Sequence, residues 1–220
     1  MRPIILHIET ATKVCSVAVS EGGSLLALID KDPDNYIHGE SLTLFILEVL
    51  KKANVKETDL HAISVSVGPG SYTGLRIGLS TAKGLCFGLD IPIICIPTLD
   101  SFLAQGHVKH PDRVICAMLD ARRMEVYTKT SNSEGSVVQE LRALVIEEDT
   151  FLDDEPFVYF GDGAHKLQAL WKNRAANFDP SLKISAVGQT ELALKRYQNQ
   201  TFDNLSSCKP LYLKQFGINT

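Results

Sequence analysis

The chain has 220 residues, 45% of them apolar, with 22 Lys and Arg against 26 Asp and Glu and a formal net charge of −4. That apolar share excludes a disordered chain and supplies real cores for one large domain or two modest lobes. The near balance of charge excludes a basic field able to hold nucleic acid by phosphate neutralisation alone, so an RNA substrate calls for a partner's positive surface. Five cysteines, at 15, 86, 95, 116 and 208, lie scattered, mostly in apolar runs, and never as Cys-x-x-Cys. They read as reduced, buried thiols of a cytoplasmic protein. Met1-Arg2-Pro3 leads into a short strand, no apolar run approaches ~20 residues, and nothing resembles a signal peptide, so the expectation is a soluble chain with no membrane association.

Residues 3–9, 14–20 and 24–30 are β-rich runs separated by Thr10-Ala11-Thr12-Lys13 and Glu21-Gly22-Gly23, which predicts a three-stranded meander. From Ser41, a plausible cap, Leu42, Phe45, Ile46, Val49, Leu50 and Ala53 recur at helical spacing and predict an amphipathic helix to Ala53. Strands over 61–67 and 91–97 flank a glycine-rich helix, and this strand, helix, strand, helix, strand order implies parallel pairing with right-handed crossovers. A short helix over 98–105 follows. The polar run from Gly106 to Arg113 is the best boundary between an N-terminal lobe, 1–105, and a C-terminal lobe, 106–220.

The second lobe opens as the first does: an apolar strand ending in an acid, Asp120, a tight turn at 121–123, and a returning strand over 124–129. Strands near 137–146 and 157–160 follow, then a Gly161-Asp162-Gly163 turn and a helix from Ala164. The signal is weak from 173 to 185, a helix is expected over 190–197, and a short strand at 211–216.

The segment from Gly68 to Gly84 is the most informative. It joins a strand-to-helix loop to a helix with small residues at every fourth position, Gly70, Gly74, Gly78 and Ala82. Residues four apart share a helix face, so the row predicts a groove for close packing. Phosphate-loop spacing fails, because Lys83 follows Ala82 far down the helix. The dinucleotide fingerprint misses too, with Gly74 one position late and Pro69 removing an amide. A wheel puts Gly74, Leu75, Gly78, Leu79 and Ala82 on one broad arc while Ile77, Thr81 and Gly84 occupy much of the other side. The 41–53 helix likewise carries Leu44 and Leu47 off its main apolar face. Two helices with surplus apolar surface point to a docking partner on the first lobe, or to cover by the second lobe or a loop.

Catalytic constellations are sparse. His107 and His110 lie in the expected linker without a glutamate beside them, and no zinc-hydrolase motif occurs. Ser71 is no nucleophile elbow, since Thr73 stands where Gly-x-Ser-x-Gly needs glycine. Glu9 and Asp120, each ending a strand, would face one another across an inter-lobe cleft and could hold Mg²⁺ with a nucleotide, or act as turn caps.

Residues 8–12, 67–78, 82–85, 120–127 and 209–213, above all the block Gly68-Pro69-Gly70-Ser71-Tyr72-Thr73-Gly74, resemble the bacterial TsaB (YeaZ) family over most of the chain. The resemblance implies an actin-like ATPase, ribonuclease H-like α/β fold of two lobes, each a mixed sheet flanked by helices. It implies a non-catalytic scaffold or activator that pairs with a TsaD-like subunit, assisted by a TsaE-like ATPase. Together they transfer a threonylcarbamoyl group to the adenosine 3′ of the anticodon in tRNA. By the same resemblance the partner, TsaD-like or a second copy as a homodimer, would meet Leu44, Leu47, Tyr72, Gly74, Leu75, Gly78, Leu79, Ala82 and Lys83. The residual nucleotide cleft would involve Glu9, Thr10, Thr12, Asp120, Gly161 and Gly163. The chain alone is expected to bind no cofactor, with ATP and Mg²⁺ at partner subunits, and tRNA reached only through the complex. Glu9 departs from the family's aspartate, which weakens a true ATPase site. The alternatives are a nucleotide-binding ATPase-like enzyme and a glycoprotease-like metallopeptidase homologue.

Overall fold

The computed structural model describes residues 2–32, 38–150, 157–168, 170–171 and 177–213. Its first strand, β1 (Ile4–Glu9), alternates strictly. Leu6 and Ile8 enter the main core of the first lobe, while Ile5, His7 and Glu9 take the opposite face. β2 (Cys15–Glu21) and β3 (Ser24–Lys31) complete the antiparallel meander, and β4 (Ala62–Ser66) and β5 (Ile93–Ile96) join parallel to β1, giving the order β3-β2-β1-β4-β5. The crossovers are α1 (His38–Ala53) and α2 (Tyr72–Leu89), which seal one face of the sheet through Leu42, Ile46, Val49, Leu79 and Cys86.

α3 (Thr98–Lys109) leads into the second lobe. There β6 (Ile115–Asp120), β7 (Glu125–Ser131) and β8 (Val137–Val145) form an antiparallel meander, and β9 (Val158–Phe160) and β10 (Asn177–Asp179) add in parallel. The order β8-β7-β6-β9-β10 repeats that of the first sheet. One topology used twice is the two-lobed, actin-like α/β fold expected from the sequence. α4 (Thr190–Gln198) then returns to the first lobe, where Ala193 packs on Ile5, Ala62, Ile94 and Ile96, so the first sheet is covered on its second face by residues far along the chain.

Several details differ from the sequence reading. α1 begins at His38, ahead of Ser41, because His38 Nε2 reaches the Thr12 carbonyl at 2.7 Å and seats the first turn against the β1–β2 loop. α3 runs through Gly106 to Lys109, where a linker was expected. Ala164–Leu167 is one 3₁₀ turn, not the start of a longer helix, among the described residues. β10 lies in the stretch with no clear signal. The expected strand at 211–216 falls partly outside the described residues, and 211–213 are not strand.

Candidate functional site

Between the lobes lies a cleft of about 1150 Å³. The first lobe contributes Thr12, Lys13 and Val14 from the β1–β2 turn and Gly70 to Thr73 from the start of α2. The second contributes Asp120 to Arg123 from the equivalent β6–β7 turn, with Gly161 and Asp162. Val14, Phe102, Leu119, Leu182 and Ile184 line it as well, and all five belong to one apolar cluster that joins the lobes. Of the residues expected at a nucleotide cleft, Thr12, Asp120 and Gly161 line this one.

Glu9, Thr10 and Gly163 do not. Glu9 is wholly buried on the far face of β1, its Oε1 accepting from Ala11 N–H at 2.7 Å and Ser66 Oγ at 2.8 Å. Burial pushes its carboxyl up to about 7 against the pull of those hydrogen bonds. The period-2 alternation of β1 sends Ile8 to the helices and Glu9 to the other side, so the expected pairing with Asp120 across the cleft is not formed. Thr10 turns onto α2, and Gly163 packs on the Leu119–Asp120 backbone, 2.7 Å from its would-be Cβ. Asp120 is itself engaged: Oδ1 accepts from Arg122 N–H at 2.6 Å and from Lys166 Nζ, which ties the turn to the 3₁₀ segment. No group of three or more His, Cys, Asp or Glu among the described residues is placed to hold a metal.

The glycine row corrects a second expectation. Ser71 caps α2 by accepting from Gly74 N–H, and the inward arc of the helix, Gly74, Leu75, Gly78, Leu79 and Ala82, is buried within this chain. A Cβ on Gly74 would stand 2.1 Å from the Thr10 carbonyl oxygen, and one on Gly78 would stand 2.3 Å from Thr10 Oγ1. The groove is real, and the chain's own β1–β2 loop fills it. These five residues are not surface available to a partner.

What α1 and α2 do expose is a different set. Leu44 is 62% exposed, Leu47 52% and Phe87 81%, and Gly84 and Gly88 have nothing within 4 Å of a would-be Cβ. The helices run in the same direction on one sheet face, and Gly39 meets Ile77, with 3.9 Å from a would-be Cβ to Ile77 Cδ1. Stepping equally along both from that contact brings Leu47 level with Leu85, beside Gly84. Excess apolar surface was legible in the sequence, but its glycine row was assigned to the wrong side. The surface row is Ser80, Gly84 and Gly88.

Of the remaining expected contacts, Tyr72 and Lys83 meet the C-terminal segment. Lys83 Nζ donates to the Ser206 carbonyl at 3.4 Å. Tyr72 packs on Tyr212 with ring centroids 5.2 Å apart, the Arg76 guanidinium lies 3.9 Å over the Tyr72 ring, and Arg76 Nε donates to Tyr212 Oη at 3.0 Å. This Arg-Tyr-Tyr cluster was not legible in the sequence, because Tyr212 lies 136 residues from Arg76. Among the described residues no helix is long and apolar enough to cross a membrane.

The family model described as TsaD, tRNA N6-adenosine threonylcarbamoyltransferase, matches residues 36–220. The tRNA threonylcarbamoyladenosine biosynthesis protein TsaB of Escherichia coli (strain K12) is 35% identical over 123 residues, 56% of this chain and 52% of that protein. TsaB of Bacillus subtilis (strain 168) is 39% identical over 140 residues, 62% of this chain and 58% of that protein. The matches thus span about half the length of these relatives. The structure of YeaZ from Pseudomonas aeruginosa superposes with a TM-score of 0.81 over 96% of this chain and 100% of its own, at 23% identity, a likeness of fold. With the doubled sheet topology and the family model matching residues 36–220, the chain belongs to the TsaD-type family that this model describes, and it is similar to that family's TsaB (YeaZ) proteins.

Proposed function

We propose that this chain is a non-catalytic scaffold and activator that binds a TsaD-like subunit. With a TsaE-like ATPase, it supports threonylcarbamoyl transfer to the adenosine 3′ of the anticodon in tRNA, in the cytoplasm. The observation that carries this reading is the outer face of α1 and α2, where Leu44, Leu47 and Phe87 stand exposed around the open Gly84 and Gly88. Large apolar side chains beside glycines that let a backbone approach closely suit a helix-to-helix interface. A homologous lobe, with equivalent helices, is the fitting occupant, and a second copy takes its place when the chain is alone. The groups a catalyst would use are otherwise engaged: Glu9 is sealed away and Asp120 is held by Lys166. ATP and Mg²⁺ accordingly act at the partner subunits.

Co-purification with a tagged TsaD-like subunit tests the interface. Leu47→Asp and Phe87→Asp change exposed positions, so both variants keep the wild-type melting temperature within about a degree or two. Both lose the partner, because each buries an unpaired charge on docking. Retention of the partner by both folded variants overturns the reading. The size of the cleft favours a second reading, a nucleotide-binding ATPase-like protein, and calorimetric titration with Mg-ATP decides between them: a saturable heat supports the second reading.

A further inference from the structure

Three of the five acids that line the cleft pair with cations of the same chain. Asp32 pairs with Lys183, Asp120 with Lys166, and Asp179 with both Lys109 and His110. Lys13, Arg122 and Arg123 line the same cleft, are exposed, and make no ion pair among the described residues. They come from equivalent turns, Lys13 between β1 and β2 and the two arginines between β6 and β7, so cations approach from both lobes. Arg122 and Arg123 hold φ of +69° and +51°, a left-handed conformation that costs a non-glycine residue roughly 1 kcal/mol or more. Leu211, Tyr212 and Leu213 complete the rim, where Tyr212 is 40% exposed and joined to Tyr72 and Arg76.

Exposed cations that share a cleft with exposed aromatic rings are the chemistry that holds a nucleic acid strand, the phosphates on the cations and a base on a ring. The apolar floor and the engaged carboxylate of Asp120 fit a mononucleotide with its metal poorly, whereas charges set on the rim fit a chain that passes across it. We propose that single-stranded RNA lies along this cleft mouth, its phosphates on Lys13, Arg122 and Arg123 and a base against the Tyr72–Tyr212 pair. The proposal rests on the tRNA-modification reading for the identity of the RNA. It uses none of Leu44, Leu47, Gly84 or Phe87, so the docking face and the RNA site fail independently.

The test is fluorescence anisotropy with the purified chain and a labelled single-stranded RNA of about 12 nucleotides, inside the ~4–16 that one such groove covers. Three phosphate contacts predict binding that weakens with salt at a log–log slope of about −2. The double variant Arg122→Glu, Arg123→Glu lowers affinity by about tenfold or more and flattens that slope. Tyr212→Ala lowers affinity about fivefold or more and leaves the slope in place. Circular dichroism confirms that each exposed substitution leaves the fold intact. No binding at low salt, an affinity unchanged by charge reversal, or full displacement of the RNA by AMP or ATP at equal nucleotide concentration overturns the proposal, the last assigning the cleft to a mononucleotide.

Discussion

Thr10 closes on Gly78: a Cβ at that glycine would stand 2.3 Å from Thr10 Oγ1, while the same hydroxyl donates to the Gly74 carbonyl at 2.8 Å. The contact ties the β1–β2 turn, which lines the cleft through Thr12 and Lys13, to the helix that carries the docking face. Glycine inside a helix ordinarily costs about 1 kcal/mol against alanine, so Gly→Ala normally stabilises. At Gly78 the overlap reverses the sign. Gly78→Ala is expected to destabilise by about 1–3 kcal/mol through overpacking. Gly84→Ala, in open space on the same helix, is expected to stabilise by about 0.5–1 kcal/mol. Urea denaturation of the two variants side by side measures this, and equal signs would show that the helix does not pack inward at Gly78.

Two buried groups on one face of β1 set opposing pH dependences. His7 is fully buried between Ser64 Oγ at 2.6 Å and Ser20 Oγ at 2.7 Å, and burial lowers its pKa from 6.5 to about 3. Between those values the unfolded chain binds the proton and the folded chain does not, so stability rises with pH. Glu9, raised from 4.5 to about 7, works the other way: its contribution is complete below 4.5 and is lost as pH climbs to 7. Each is worth on the order of 3 kcal/mol or more across its window, at 1.36 kcal/mol per pKa unit. The slopes cancel between about pH 4.5 and 6.5 in the wild type. Glu9→Gln should therefore show stability rising steeply through that interval, and His7→Asn should show it falling. Parallel curves for the two variants in buffered denaturant titrations would contradict these protonation states.

The meanders and both crossover helices were legible because local pattern decides them: β-rich runs broken by Gly22-Gly23, and Leu42, Ile46 and Val49 at helical spacing. The burial of Glu9 was not, because what covers it comes from distant sequence. Gln189 Nε2 reaches the Ile8 carbonyl at 2.9 Å and its Oε1 accepts from Ser64 Oγ, so the segment near 189 roofs the face on which Glu9 lies. A helical wheel shows which residues share a side of α2 but not which side faces inward, and the inward glycines were accordingly read as surface. β10 has only three residues, and its pairing with β9 supplies the order that its own sequence lacks.

The C-terminal segment is fastened at Asp203. Its Oδ2 accepts from Cys95 N–H at 2.7 Å and pairs with Arg196 at 3.0 Å, while Asp203 N–H donates to the Ile93 carbonyl and Arg196 also reaches the Cys95 carbonyl. This one carboxylate completes the free edge of β5 and fixes the start of the run that ends at Tyr212. Asp203→Ala is expected to destabilise by about 1–3 kcal/mol, since it leaves the Cys95 amide and a half-buried guanidinium without their acceptor. Hydrogen exchange should show protection lost at Cys95 first. Unchanged protection there would mean that the backbone bridge alone holds the edge.

Gly106 was read as the start of a boundary because the run 106–113 is polar, yet it lies inside α3 with a would-be Cβ 2.5 Å from Phe160 Cζ and 2.8 Å from Ile115 Cδ1. Phe160 in turn meets Phe102 edge-on at 4.8 Å between ring centroids, in the apolar cluster that floors the cleft. The missing side chain lets α3 settle onto β6 and β9, and so sets the height of that floor. Gly106→Ala must push Phe160 or the helix outward and should destabilise by about 1–3 kcal/mol. Adding Phe160→Leu, which removes the ring atoms in the way, should recover part of the loss, so the two changes together cost less than their sum. A double-mutant cycle by denaturation measures the coupling, and strict additivity would separate Gly106 from the cleft floor.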